Sequence, residues 1–183
     1  VNDVVRQLRA DGVVTGRDGG QLSNGAASSE IGNPGQTGYE WLFDGTADSL
    51  DDWRQAPGGH FELLPDGSLL SQGGLGMLWY EAEEFSDFSL KLQFRDVSEG
   101  DTYANGGVFV RFPDPSAEEQ PECGEGQSEA WVAISCGHEI QLYDGPSGEP
   151  QKTGSVYNFD PVELEDAGVT DKGVWNDYEI RIV

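Results

Sequence analysis

Residues 88–94 read FSLKLQF, and the alternation in this stretch decides the fold class. Phe88, Leu90, Leu92 and Phe94 fall on one side of an extended chain and Ser89, Lys91 and Gln93 on the other, the period of two that marks a half-buried β-strand. Working outward, residues 138–143 (HEIQLY) and 178–183 (YEIRIV) also read as strands, residues 107–112 (GVFVRF) alternate less strictly, and residues 130–135 form a short apolar run among these strands. Residues 60–64 and 69–71 meet across Pro65-Asp66-Gly67-Ser68, a hairpin signal. Twenty-six glycines and nine prolines interrupt the chain every few residues, which suits short strands and turns. The pattern predicts an all-β antiparallel sandwich or jelly roll over residues 39–183.

The first 38 residues read differently. Val1, Val4, Val5 and Leu8 recur at helical spacing, with Asn2 or Asp3 as a cap and Gly12 as a stop. This predicts a short helix, taken as the end of a preceding helical module over residues 1–15. Residues 16–38 then turn to Gly, Ser, Asn and Ala, the composition of a flexible linker.

The chain has 183 residues and carries 10 Lys+Arg against 34 Asp+Glu, a formal charge of −24. Such a surface repels phosphate backbones and anionic lipid, so nucleic acid is not an expected partner. No apolar run approaches the roughly 20 residues of a bilayer helix, so no membrane span is expected. Cys123 and Cys136 stand thirteen positions apart with no second Cys or His at zinc-site spacing. They suit one disulfide, whose loop would contribute about 3 kcal/mol in the chain-entropy account. That bridge would imply an oxidising setting: the cell exterior, the cell surface or the periplasm. No cofactor is required by any motif. Calcium would find oxygen ligands at Asp48, Asp51 and Asp52 or at Asp96, Glu99 and Asp101, but neither set has the ordered spacing of an EF-hand loop, and solvated loop acids are the simpler reading.

One strand carries a pattern with chemical content. In HEIQLY the period of two places His138, Ile140 and Leu142 on one side and Glu139 and Gln141 on the other. In GVFVRF the same parity sets Phe109 and Arg111 together, so adjacent strands would bring Arg111 to the face of Glu139. A carboxylate, an amide and a guanidinium on one sheet face offer the mixed donors and acceptors that a polyol requires. The plainer interpretation is a solvated face with a structural ion pair.

Six stretches in order, WLFDGTADSLDDW, GMLWYEAEEFSDFSLKLQFR, NGGVFVRF, GHEIQLYD, TGSVYNF and WNDYEIRI, give the chain a resemblance to the 3-keto-disaccharide hydrolase family. The resemblance implies a concanavalin-A-like jelly roll with a carbohydrate pocket on its concave face, often secreted or joined to other glycan-active modules. It places Asn105 at the family's Asn-Ser-Gly motif, here Asn105-Gly106-Gly107 without the hydroxyl. It further implies Arg111, Glu139 and Gln141 as catalytic residues, with His138 where an aromatic is usual and Tyr157 as the turn tyrosine. Members continue past the Trp-Asn strand through further strands, which leads to the expectation that another module or a neighbouring chain completes the sandwich.

The ketone of a 3-keto-glycoside acidifies the C2 proton, so a base can start elimination of the C1 substituent, followed by addition of water. In this reading Glu139 is the base, Gln141 holds it, and Arg111 stabilises the oxygen that gains charge. Asn105, Trp79, Tyr157 and His138 would bind the sugar, although the parity of His138 points it away and Trp79 suits a core equally well. The expected function is hydrolysis of 3-keto-glycosides by elimination and hydration. A non-catalytic carbohydrate-binding module and a surface-assembly module are the competing classes, and an oligosaccharide or glycan is the partner in the first two.

Overall fold

The computed structural model describes residues 3–11, 39–169 and 171–183. Its strands are β1 (Asp3–Asp11), β2 (Tyr39–Phe43), β3 (Trp53–Ala56), β4 (Gly59–Leu63), β5 (Leu69–Gly73), β6 (Met77–Tyr80), β7 (Phe88–Asp96), β8 (Gly106–Val110), β9 (His138–Leu142) and β10 (Asn176–Ile182). Among the described residues one α-helix, α1, spans Glu129–Cys136. Six strands form the main sheet in the order β10-β7-β1-β5-β4, with β2 also paired to β1. Two ribbons, β3-β6 and β8-β9, complete the described architecture. All these pairings are antiparallel. The fold is all-β and consistent with a jelly roll, with small sheets.

Strand β7 lies inside the main sheet, between β10 and β1. Leu90, Leu92 and Phe94 are buried and pack with Leu42, Leu142 and Ile180, so β2, β9 and β10 contribute to one core. The opposite face is also covered. Ser89 Oγ donates to Glu179 Oε1 at 2.7 Å, and Gln93 Nε2 donates to Asp177 Oδ1 at 2.7 Å, both across to β10. A second cluster joins Ala56, Met77 and Trp79 of the β3-β6 ribbon to Ala130 and Ala133 of α1, with Phe109 and Phe112 packed beside them. The expected hairpin is present: Leu63 pairs with Leu69, and Gly67 N donates to the Leu64 carbonyl at 2.9 Å.

Two sequence expectations are corrected. The helix expected over residues 1–10 is instead strand β1, which pairs with β7 on one side and with β5 and β2 on the other. Helical spacing over so short a run is weak, and two flanking strands satisfy the backbone on both edges. The linker expected over residues 16–38 lies outside the described residues. The apolar run at 130–135 is helical rather than extended. Its small alanines let α1 lie close on the β3-β6 ribbon, and Gly137 ends it, its N–H donating to the Ala133 carbonyl at 2.9 Å. A side chain at Gly137 would meet the Val110 carbonyl at 2.8 Å, so only glycine permits this tight passage from α1 into β9. Among the described residues, no helix is long and apolar enough to cross a membrane.

Candidate functional site

The β8-β9 ribbon positions the site. Its register sets Phe109 opposite Glu139, Gly107 opposite Gln141 and Val108 opposite Ile140. Val108, Ile140 and Leu142 turn to the main core. Glu139 shares the other face with Gly107, as the period of two requires, and its side chain lies across that glycine. A Cβ built on Gly107 would stand 2.5 Å from Glu139 Cγ.

Glu139 and Gln141 are therefore brought together. Gln141 is fully buried, and a buried amide needs partners at both ends. Turned over, its nitrogen donates to Glu139 Oε1 at 3.3 Å and to the Gly106 carbonyl at 2.9 Å, and its oxygen stands 3.3 Å from Asn105 Oδ1, where the Asn105 amide, turned likewise, donates to it. Asn105 thus belongs to the same network. Residues 153–157 run beside β9: Gln141 N donates to the Ser155 carbonyl and Tyr157 N to the Glu139 carbonyl, each at 2.9 Å. The tyrosine hydroxyl donates to Glu149 Oε2 at 2.8 Å.

Charge shapes this cluster. Burial, reinforced by the negative charge of Glu149, pushes the Glu139 carboxyl up to about 6. Glu149 itself is held below the ordinary glutamate value, chiefly by the Gln151 backbone N–H and also by the Tyr157 hydroxyl. Its hydrogen bond to Glu149 raises the Tyr157 phenol above its usual value, with burial adding to the effect. The cluster therefore contains one carboxyl near neutrality and one firmly ionised carboxylate. Sequence reasoning missed Glu149, because it lies in a Gly/Pro loop where periodicity carries no information.

A cavity of about 740 Å³ opens beside the cluster, with Glu139, Asn105, Tyr157, Arg111 and Trp79 in its lining. That volume is in the usual range of small-molecule sites, about 300–1,000 Å³. Arg111 is on this wall but does not follow the expected parity. Strand β8 ends at Val110, and Arg111 adopts φ +57°, which breaks the alternation. Its guanidinium lies 3.7 Å from Asp87 Oδ1 instead of beside Glu139. Trp79 is only 5% exposed and packs against Ala130 and Ala133, so it is chiefly a core residue. His138 is absent from the lining; it projects away and meets the Phe159 ring edge-on at 5.0 Å. That geometry sets His138 apart from the lining residues that were expected to share the sugar with it.

Cys123 and Cys136 form a disulfide, with Cα atoms 5.4 Å apart. Among the described residues, no three carboxylates, imidazoles or thiolates gather closely enough to hold a metal ion. Asp96, one of the acids considered for calcium, is engaged by its own loop: Oδ1 accepts from Ser98 N at 2.7 Å and Oδ2 from Ala104 N at 3.1 Å.

A search of curated proteins and a search of solved structures each return no match to this chain. The model of the 3-keto-alpha-glucoside-1,2-lyase-like domain matches residues 38–183. With a matching family model spanning most of its length and the β-rich fold described above, the chain belongs to the family of 3-keto-alpha-glucoside-1,2-lyase-like domains, a carbohydrate-active family.

Proposed function

We propose that the chain catalyses 1,2-elimination on a 3-keto-glycoside, with Glu139 as the base. The observation that carries this reading is the Glu139–Gln141 pair beside the cavity, with the carboxyl raised to about 6. A base of that strength is largely ionised at neutral pH yet still binds a proton readily, the balance general-base catalysis favours. Glu139 takes the C2 proton, and the C–H electron pair forms an enediolate with the C3 oxygen. As the enediolate collapses, the C1–O bond breaks and the leaving alcohol takes up a proton. Water then adds across C1 and C2 of the unsaturated 3-keto sugar, which completes a net hydrolysis.

Gln141 and Asn105 act as positioning residues, because their amides fix the carboxyl through the network around Gly106. Arg111 is the cation available on the cavity wall for the enediolate oxygen. Its 3.7 Å contact with exposed Asp87 is of the kind worth about 0–1 kcal/mol, so substrate can displace it. The disulfide agrees with an oxidising location outside the cytoplasm.

The test is incubation of the purified chain with 3-keto-trehalose or methyl 3-keto-glucoside, with and without added divalent cations, following release of the C1 substituent. Wild type is expected to turn over and Glu139→Gln to lose at least about a hundredfold, as removal of a general base does. Equal rates would refute the base assignment. Binding without turnover would leave a carbohydrate-binding module.

A further inference from the structure

The tryptophans occupy contrasting settings. Trp79 is packed in the second core, Trp53 Nε1 donates to the Leu42 carbonyl at 2.9 Å, and the Trp175 ring is covered by Arg95 at 4.5 Å. Trp131 is 47% exposed and lines the same cavity as Glu139.

Helix α1 explains its position. Ala130 and Ala133 face the β3-β6 ribbon. Val132 and Cys136 face the disulfide loop, where a Cβ on Gly124 would approach each at 3.4 Å. Trp131 and Ile134, three residues apart, share the remaining face and line the cavity. An eight-residue helix is marginal alone, but α1 is fixed by packing on one face and a disulfide on another. It therefore presents the Trp131 ring from a rigid mount.

We propose that Trp131 forms the subsite for the sugar ring attached at C1, the part of a 3-keto-disaccharide that leaves on elimination. This rests on the reading of Glu139 as the base for the keto-sugar ring. Glu139 and Trp131 line the same cavity, whose volume of about 740 Å³ suits more than one pyranose. The axial C–H groups of a pyranose present an apolar face, which stacks on an indole as neither water nor a charged group does. Charge restricts the occupant further: Glu81, Glu83, Glu84 and Asp114 join Glu139 on the lining against Arg111. A neutral ring is accepted there, and a phosphorylated one is repelled.

The experiment compares wild type, Trp131→Phe and Trp131→Ala on 3-keto-trehalose and on methyl 3-keto-glucoside, which lacks the second ring. Trp131→Ala should raise KM for the disaccharide about tenfold, the effect of ~1.4 kcal/mol. Trp131→Phe should recover most of that loss, and the methyl glycoside should show no change in either variant. Equal losses on both substrates, or none on the disaccharide, overturn the subsite. If wild type turns over neither sugar, the reading of Glu139 fails, and calorimetric binding of unoxidised trehalose tests the subsite separately. Weaker binding by Trp131→Ala supports it; equal binding, or no binding by wild type, overturns it.

Discussion

Glu139 lies so closely over Gly107 that a single added carbon would collide with it. A Cβ on Gly107 would stand 2.5 Å from Glu139 Cγ, 2.7 Å from Oε1 and 2.8 Å from the Ile140 carbonyl. The missing side chain on β8 thus gives the carboxylate its place on β9. The carboxylate can swing aside, but the Ile140 backbone cannot.

Gly107→Ala is therefore expected to displace Glu139 and to destabilise the fold by about 1–3 kcal/mol, the usual cost of overpacking. Thermal unfolding reads the second effect and turnover the first. A variant with wild-type Tm and wild-type rate would show that the glycine has no such role.

The raised Glu139 carboxyl makes a signed statement about pH. A carboxyl whose folded value, about 6, exceeds its ordinary value of 4.5 favours the fold fully below 4.5, and that contribution is lost as pH rises through 6. Glu139→Gln, which never ionises, should match wild type in Tm near pH 4 and exceed it above pH 7. Activity should run the other way, rising as pH passes about 6 and the base form fills. A Tm difference that does not change with pH would contradict the burial account.

Lys152 is 6% exposed and donates to the Gly145 carbonyl at 2.6 Å and to the Glu149 carbonyl at 2.5 Å. Lys152→Met keeps the stem and removes the donors, so two carbonyls lose a charged partner. The expected loss is about 2–4 kcal/mol, read as a lower urea midpoint at unchanged slope. The loop that carries Glu149 should loosen with it. No shift in midpoint would refute a structural role for the ammonium.

The disulfide ties α1 to the loop before it. Replacing both cysteines, Cys123→Ser with Cys136→Ser, should cost about 3 kcal/mol for a loop of this length. Reductant should lower the wild-type Tm and leave that of the double variant unmoved. Equal Tm for both proteins without reductant would contradict this.

The sequence was most legible where a strict period met a buried face. Leu90, Leu92 and Phe94 declared β7, and the parity of HEIQLY correctly separated Glu139 from His138. Parity failed at Arg111 because β8 stops one residue earlier and the backbone turns to positive φ, a change that no spacing rule announces. Residues 130–135 misled for a different reason: five apolar residues without alternation fit a buried helix as well as a strand. The helical spacing of Val1, Val4, Val5 and Leu8 hid β1, whose pairing depends on distant strands that local spacing does not reveal. Glu149 became visible only once its loop was set beside Glu139 and Tyr157, and Trp131 once α1 was set against the cavity.

The most direct test of the central claim follows proton abstraction itself. In D2O, the 3-keto derivative of 1,5-anhydroglucitol has no C1 substituent to expel, so a base at Glu139 can only exchange its C2 hydrogen. Proton NMR should show the C2 signal decaying in the presence of wild type and persisting with Glu139→Gln at the same protein concentration. Equal decay with both proteins, or no decay with wild type beyond that in buffer alone, would contradict the assignment of Glu139 as the base.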